Sequence, residues 1–158
     1  MVINFSNKNE LGIAEIFKKH NEEIYRYLLV RVRTKEIAQD LTSDVFVKFL
    51  TTSGFDERKS SVRTWLFLIA RGILINYIKK ESLRNHADMS DIEETVSLES
   101  TESINSVDLE FLLTKIKELD EEECTVLTLK YVNNLQNKEI AKIINCSYSN
   151  TKVKIHRA

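Results

Sequence analysis

The chain has 158 residues, 42% of them hydrophobic, with a formal net charge of −1, no proline and only three glycines. This hydrophobic content is enough to form a core in one or two small domains, and it excludes a disordered protein. Scarce proline and glycine, together with many Leu, Ile, Lys and Glu, predict an all-α fold with short polar joints. No apolar run reaches the length of a membrane span, and residues 1–9 lack the order of a secretory signal, so we expect a cytoplasmic protein.

Two amphipathic helices are predicted in the first fifty residues. The first covers Leu11 to Val32, and an interruption near His20 and Asn21 would divide it. The second covers Thr34 to Leu50, and its predicted buried face comprises Ile37, Leu41, Val45, Phe46 and Phe49. Asp40 and Asp44 lie one turn apart on another face, which we interpret as a surface for another protein, with a solvated helix face as the alternative.

A turn-rich loop over residues 51–61 precedes a long helix predicted from Val62 to Lys80. Its apolar stripe comprises Trp65, Leu66, Ile69, Ala70, Ile73 and Tyr77, and its polar residues include Arg63, Arg71, Asn76, Lys79 and Lys80. Basic charge interleaved with aromatic and amide groups favours binding of single-stranded or melted nucleic acid, because phosphates attract cations and exposed bases stack or hydrogen-bond. We interpret Trp65 itself as a core residue rather than a stacking platform.

Charge is segregated along the chain. Residues 1–84 contain 15 basic and 10 acidic side chains. Residues 85–114 contain no basic and 8 acidic side chains, and residues 115–158 contain 8 basic and 6 acidic side chains. We divide the chain into a first domain over 1–84, an acidic flexible linker over 85–104 and a second domain over 105–158. Two net-basic lobes suit nucleic-acid contact. The linker is either a solvated tether or a segment whose carboxylates compete with nucleic acid.

The last twenty-two residues predict two short helices around a tight turn. Ile140, Ala141 and Ile144 recur at helical spacing, Asn145 can end the first helix in the left-handed conformation, and Ser147 or Ser149 can cap the second. In the second helix, Thr151 and Ile155 are predicted to face inward. The predicted outward positions are Asn150, Lys152, Val153, His156 and Arg157. This is the pattern of a DNA-binding helix-turn-helix, with an ordinary helical hairpin as the alternative.

The sequence lacks the usual motifs of enzymes and metal sites. Cys124 and Cys146 lack a C-x-x-C arrangement, and His20, His86 and His156 are scattered, so both cysteines are interpreted as core thiols and no metal ligands are predicted. No phosphate loop, nucleophile elbow or H-E-x-x-H motif occurs. We therefore expect a protein that is not an enzyme, with no catalytic residues and no cofactor.

Three motifs in order resemble the sigma-70 family of RNA polymerase sigma factors, in its extracytoplasmic function (ECF) group. They are Asp40-Leu-Thr-Ser-Asp-Val-Phe46, then Arg63-Thr-Trp-Leu-Phe-Leu-Ile-Ala-Arg71 with Asn76-Tyr-Ile-Lys-Lys80, and Leu119-Asp-Glu-Glu-Glu-Cys-Thr-Val-Leu-Thr-Leu-Lys-Tyr131 before the helix-turn-helix. The resemblance covers residues 11–84 as region 2 and about 105–158 as region 4. It implies two small helical domains, a region 2 bundle and a region 4 helix-turn-helix.

The resemblance also implies partners and site residues. Core RNA polymerase would be bound at the clamp helices of its largest subunit and at its flap region, and the implied clamp-binding residues are Asp40, Leu41, Asp44, Val45, Phe46 and Lys48. Promoter DNA would be bound at two elements. Implied minus-ten residues are Lys59, Ser60, Ser61, Arg63, Arg71, Gly72, Asn76, Lys79 and Lys80. Implied minus-thirty-five residues are Ser149, Asn150, Lys152, Val153, His156 and Arg157. An anti-sigma factor is a further partner that the resemblance allows.

The chain departs from the family pattern at several positions. Relatives usually have Gln-Glu in place of Ser43-Asp44, Pro in place of Asp120 and Asn in place of Gly72. Asp120 nonetheless suits a helix N-cap with Glu123 three residues on. Relatives continue past the equivalent of Ala158, which raises the expectation of a truncated C-terminus. Two other functions were weighed: a stand-alone helix-turn-helix regulator that binds duplex DNA as a dimer, and a helical adaptor that sequesters other regulators.

Overall fold

The computed structural model describes residues 10–32, 34–52, 55–56, 58–87, 115 and 119–157. In chain order, the described helices are α1 (Glu10–Leu29), α2 (Lys35–Thr51), α3 (Val62–Ala87), α4 (Glu121–Leu127), a π-helical turn (Thr128–Val132), α5 (Asn137–Ile143) and α6 (Tyr148–Arg157). No strand occurs in these ranges, which confirms the predicted all-α class. Residues 85–87 of the proposed linker belong to the end of α3, whereas its residues 88–104, and residues 105–114 and 116–118 of the second domain, lie outside the described residues.

Helix α1 runs without a break, so the suggested interruption near His20 and Asn21 is wrong. His20 is buried, and its Nδ1 hydrogen-bonds to the Glu23 carboxylate three residues later on the same helix. A polar side chain that finds a partner within the helix does not disrupt it. Downstream of this pair, Ile24, Tyr27 and Leu28 are fully buried and attach α1 to the core.

Helix α2 begins where the sequence suggests. The Thr34 hydroxyl accepts a hydrogen bond from the Ile37 backbone N–H at 3.2 Å, which satisfies one of the free donors of the first turn. One face of α2 is buried, and it comprises Ala38, Leu41, Thr42, Val45, Phe46 and Phe49. The predicted buried face is therefore confirmed for Leu41, Val45, Phe46 and Phe49.

Helix α3 extends beyond its predicted end at Lys80 and continues to Ala87. Its start is fixed by Ser61, whose hydroxyl accepts from the Thr64 N–H at 3.1 Å. The loop before it is anchored by Phe55, which is fully buried and lies 5.9 Å from the Trp65 ring, centre to centre. This aromatic contact, with the 6.3 Å contact between Phe55 and Phe49, joins the loop to both α2 and α3.

The C-terminal helices are bounded by short polar caps. The Asp120 carboxylate accepts from the backbone N–H groups of Glu122 and Glu123 at 2.9 and 2.8 Å, which confirms its predicted capping role. Asn145 has φ 54°, the left-handed conformation expected of it. The Ser147 hydroxyl accepts from the Asn150 N–H at 3.2 Å and so caps α6. The helix-turn-helix therefore follows from its local sequence.

We define residues 10–87 as the N-terminal lobe and residues 119–157 as the C-terminal lobe. They pack against each other, because α5 contacts α3 and the π-helical turn contacts α1. One apolar cluster is continuous across the boundary, with Ile24, Leu66 and Phe67 on one side and Leu129 and Ile140 on the other. None of the described helices is both long and apolar enough to span a bilayer.

Candidate nucleic-acid interface

The outward face of α6 presents every residue predicted to contact the minus-thirty-five element. Thr151 is fully buried and faces the rest of the lobe, and its hydroxyl donates to the Ser147 carbonyl one turn earlier at 2.9 Å. The six predicted residues are all exposed: Ser149, Asn150, Lys152, Val153, His156 and Arg157. Two cations, a histidine and two hydrogen-bonding side chains on one accessible helix suit insertion into a major groove.

Lys154 lies on the same helix but is withdrawn from this face. Its ammonium group hydrogen-bonds to the Glu122 carboxylate, which ties α6 to α4. The hydrogen bond to Glu122 raises the pKa of Lys154 above its ordinary value. The two lysines of α6 thus differ in what they contact, because Lys152 is directed outward and Lys154 belongs to the lobe's internal structure.

Tyr148 is a member of the α6 surface that sequence reasoning missed. It is 43% exposed, and the Lys152 ammonium lies 4.8 Å from the centre of its ring. This is a cation–π contact between residues one helical turn apart. The sequence does contain a signal for this contact, namely an aromatic residue four positions before a lysine. The contact with Tyr148, at the start of the helix, restricts the conformations of the Lys152 side chain.

The exposed face of α3 brings together most of the predicted minus-ten residues on the helix. Gly72, Asn76, Lys79 and Lys80 are exposed, and Arg71 is half-buried. Two apolar residues missed from the sequence share the exposed surface of this helix, Leu68 at 40% and Leu83 at 72%. An atom at the Cβ position of Gly72 would have no neighbour within 4 Å, so this glycine leaves an open place among the cations.

The beginning of α3 is arranged differently, because Arg63 is held by other parts of the protein. Its Nε donates to the Glu23 carboxylate at 2.8 Å, and its Nη2 donates to the Asn133 carbonyl at 2.6 Å. Burial by itself raises the pKa of Glu23, but hydrogen bonds from His20 and Arg63 outweigh it and hold that pKa below its ordinary value. Three predicted minus-ten residues precede Arg63 in the chain. Lys59 and Ser61 are exposed, and Ser60 is half-buried.

Trp65 is half-buried against Phe55. Its Nε1 is buried and has no hydrogen-bond partner in the part of the chain that the structure describes. A stacking platform for a base requires an open ring face, whereas this ring packs against Phe55 and the hydrophobic core. Trp65 packs against the hydrophobic core as a partly buried residue, which agrees in part with its interpretation as a core residue.

The predicted polymerase-binding helix presents a polar surface. Asp40, Asp44 and Lys48 are exposed, and exposed Val47 lies next to Lys48 in the chain. Leu41, Val45 and Phe46 are buried and hold the helix in place, and Phe46 also lines a surface cavity between α1 and α2. The accessible part of the predicted set is therefore its charged part.

No metal site is found in the described ranges. No three His, Cys, Asp or Glu side chains there come close enough to hold an ion. Both cysteines are free thiols, and Cys124 is buried whereas Cys146 is half-buried, so only Cys124 is fully enclosed as predicted. Burial raises the pKa of the Cys124 thiol.

Comparison with known proteins assigns both lobes to known families. The profile of Sigma-70 region 2 matches residues 16–84, and that of Sigma-70 region 4 matches residues 110–158. RNA polymerase sigma factor YlaC of Bacillus subtilis is 30% identical over 96% of this chain and 90% of its own length. ECF RNA polymerase sigma factor SigM, from the same organism, is also 30% identical, over 94% and 91%.

Two solved structures are similar in fold over nearly the whole chain. The sigma factor RpoE of Bartonella quintana, in complex with the anti-sigma factor NepR, has a TM-score of 0.76 at 16% identity and covers 92% of this chain and 91% of its own. The structure of CnrH in complex with the cytosolic domain of CnrY has a TM-score of 0.72 at 17% identity, and the match covers 98% of this chain and 86% of that chain. The chain therefore belongs to the sigma-70 family, in its extracytoplasmic function group, and is an RNA polymerase sigma factor of transcription initiation.

Proposed function

We propose that this sigma factor binds core RNA polymerase through the exposed face of α2 and recognises a promoter with two separate surfaces. In this proposal, α6 reads a duplex minus-thirty-five element and α3 contacts the melted minus-ten strand. Residues 1–84, 85–104 and 105–158 remain our proposed division into region 2, linker and region 4. Bond-forming chemistry stays with the polymerase.

The observation that carries this proposal is the sorting of side chains on α6. All six predicted DNA-facing residues are exposed, while Thr151 is fully buried and Lys154 is bound to Glu122 of α4. An ordinary helical hairpin has no need for Lys154 to be bound within the lobe while Lys152, two residues earlier, is exposed. Such sorting is expected of a recognition helix, whose inward residues fix its orientation while its outward residues meet base edges and phosphates.

The α3 surface supports contact with an opened strand. Lys79 and Lys80 supply positive charge, and Asn76 supplies an amide able to hydrogen-bond to an exposed base. Exposed Leu68 and Leu83 offer apolar surface to the flat face of a base. Together these groups suit a strand whose bases are no longer paired, because a closed duplex presents mainly its phosphates and groove edges.

The α2 surface supports docking to another protein. Asp40 and Asp44 are exposed one turn apart, and neither side chain forms a hydrogen bond or an ion pair within the part of the chain that the structure describes. Two accessible carboxylates on a rigid, well-packed helix can meet a basic or amide-rich surface without rearrangement of the core.

Promoter-specific transcription by the reconstituted enzyme tests the proposal. The chain is mixed with core polymerase and a promoter template, and transcripts are compared with those of a variant carrying Asp40→Lys and Asp44→Lys. A matched control reverses the same number of charges on α1, with Glu15→Lys and Glu22→Lys. We expect the α2 variant to lose polymerase association and transcripts, while the α1 control retains both.

Two outcomes would contradict the proposal in different ways. Equal polymerase binding by the α2 variant and the control would reject the docking surface alone. A wild-type chain that ignores core polymerase in gel filtration, yet pairs with itself on an inverted-repeat duplex, would instead support the stand-alone regulator.

A further inference from the structure

Tyr148 and Lys152 lie at the end of α6 at which base contacts are expected. Tyr148 is the first residue of the helix, and Lys152 follows one turn later. In helix-turn-helix proteins, the N-terminal residues of the recognition helix contact base edges in the major groove. Both side chains are exposed, and the ammonium group of Lys152 lies 4.8 Å from the centre of the Tyr148 ring. A cation and the ring that holds it therefore share this end of the helix.

Lys152 is held in a different way from Lys154. Lys154 donates to the carboxylate of Glu122, so its charge is compensated within the lobe. Lys152 instead lies over an aromatic ring, which attracts a cation through its quadrupole and carries no net charge. A carboxylate at position 148 would confine the same ammonium group, but it would also repel the phosphates of DNA. The ring of Tyr148 therefore confines Lys152 without cancelling its charge.

The cation–π contact leaves N–H donors of Lys152 available to a ligand. An ammonium group has several N–H donors and no acceptor, and the Tyr148 ring lies on one side of it only. Donors on the other side can meet acceptor atoms of a base. Because the lysine stem is flexible, fixing it at a base costs conformational entropy, and a ring that already confines the ammonium group reduces this cost.

The chemistry of an ammonium group distinguishes the four bases. In the major groove, guanine presents two neighbouring acceptors, O6 and N7. Adenine presents an acceptor beside an amino donor, thymine presents an acceptor beside a methyl group, and cytosine presents a donor. A side chain that has donors and no acceptor therefore makes its best contact with guanine.

We propose that Tyr148 is a positioning residue for promoter recognition: its ring holds the Lys152 ammonium group for donation to O6 and N7 of one guanine in the upstream element. Tyr148 acts through Lys152, and its hydroxyl takes no part in the contact. This role rests on the proposed function of α6 as the reader of the minus-thirty-five duplex. It adds a residue to those predicted to recognise that element, and it names the base that Lys152 reads.

The test begins with selection by reconstituted holoenzyme from a promoter pool in which about ten base pairs of the upstream element are randomised. We expect the wild type to enrich guanine at one position and Lys152→Met, which keeps the apolar stem without the charge, to lose that enrichment. Tyr148→Leu should reduce the guanine preference at the same position by about twofold to fivefold, as expected for loss of an exposed cation–π contact. Tyr148→Phe should keep the preference, because it keeps the ring.

A modified base then makes the measurement specific to this contact. The guanine at the selected position is replaced by 7-deazaguanine, which keeps O6 but lacks the N7 acceptor. The ratio of holoenzyme affinities for the two duplexes is measured for the wild type, Tyr148→Leu, Lys152→Met and the double variant. Tyr148→Leu should lower this ratio when Lys152 is present and leave it unchanged in the Lys152→Met background. An equal effect in both backgrounds would overturn the proposal, because Tyr148 would then not act through Lys152.

Tyr131 provides a matched control, because it is another exposed tyrosine of the C-terminal lobe and lies on the π-helical turn. Tyr131→Leu should leave the guanine preference unchanged, and an equal loss in this variant would contradict the role of Tyr148. A Tyr148→Phe variant that behaves like Tyr148→Leu would reject the ring contact in favour of the hydroxyl. If wild-type holoenzyme enriches no upstream sequence, the proposed function of α6 fails. An enriched guanine that Tyr148→Leu leaves unaltered rejects only the positioning role.

Discussion

Tyr148 and Lys152 form a cation–π pair on α6, with the ammonium 4.8 Å from the ring centre. The pair lies on the exposed surface of the helix, in the part that would enter the groove first. A flexible lysine that is already confined by an aromatic ring loses less conformational freedom when it reaches a base.

Replacement of Lys152 by alanine should reduce discrimination between the correct and incorrect upstream elements by about 1 to 3 kcal/mol. The reason is that an outward lysine at this position is proposed to contact a base edge. Arg157→Ala should instead weaken binding to all duplexes alike, because a phosphate contact carries no sequence information. Competition binding with matched and mutated duplexes measures both, and an equal loss of discrimination in both variants would reject this division.

Lys154→Ala is the internal comparison for the α6 surface. Since Lys154 is bound to Glu122, its loss should lower the melting temperature and leave the preference between duplexes unchanged. Thermal unfolding and the same competition assay check the two effects. A change in sequence preference of the size seen for Lys152→Ala would mean that Lys154 leaves Glu122 when DNA binds.

Gly72→Ala should stabilise the fold by about 0.5 to 1 kcal/mol, because alanine favours the helix and its methyl group meets no neighbour within 4 Å. Gly12 in α1 is equally unobstructed, so Gly12→Ala is a matched control for stability. Urea unfolding measures both. Gly72→Asn should in addition strengthen binding to a single-stranded oligonucleotide that carries the non-template minus-ten sequence, since it adds an amide among the cations of α3. A loss of affinity on this substitution would argue against strand contact at this position.

Stability should fall in acid partly through Glu23. Its pKa in the folded protein lies below the ordinary value of 4.5, so its contribution is complete above that pH and is lost as the pH falls through the lowered value. The groups around it are His20 on α1, Arg63 on α3 and, through Arg63, Glu139 on α5. Glu23→Gln should therefore be less stable than the wild type at pH 7, and the difference should narrow below about pH 4.5. Urea midpoints measured between about pH 3 and 7 test this. A difference in stability between Glu23→Gln and the wild type that stays constant over this range would exclude Glu23 as the titrating group.

Thiol reactivity should distinguish the two cysteines. Burial raises the pKa of Cys124, so less of it is thiolate at neutral pH, whereas Cys146 is half-buried. Mass spectrometry after brief treatment with a maleimide should find Cys146 modified first. The order should reverse or disappear only in denaturant, and preferential labelling of Cys124 in the native protein would contradict its burial.

The sequence predicted local structure well because local structure depends on neighbours in the chain. Helical spacing marked the buried face of α2, and Asp120, Asn145 and Ser147 each act at the helix end where their chemistry suggested. The exposed face of α6 could also be predicted, since the buried Thr151 fixes which positions point outward. These inferences needed only periodicity and capping preferences.

What could not be predicted is the contact between the lobes. Arg63 and Asn133 are 70 residues apart, and nothing in the periodicity of either segment indicates that one will bind the other. The charge pattern suggested two net-basic lobes, and the family resemblance placed Arg63 among the DNA-binding residues, but neither indicated the partners of Arg63 within the protein. The continuity of α1 was missed for a similar reason, because the burial of His20 and its pairing with Glu23 depend on the packed structure.

Several bonds between the lobes end on main-chain carbonyl oxygens: Arg63 reaches that of Asn133, Asn133 that of Glu23, and Lys142 that of Lys59. A carbonyl oxygen is present whatever the side chain. The loop before α3 can therefore exchange its side chain at position 59 during evolution without losing its bond to Lys142. Divergence toward new target sequences and retention of the same folded assembly are, at this position, independent of each other.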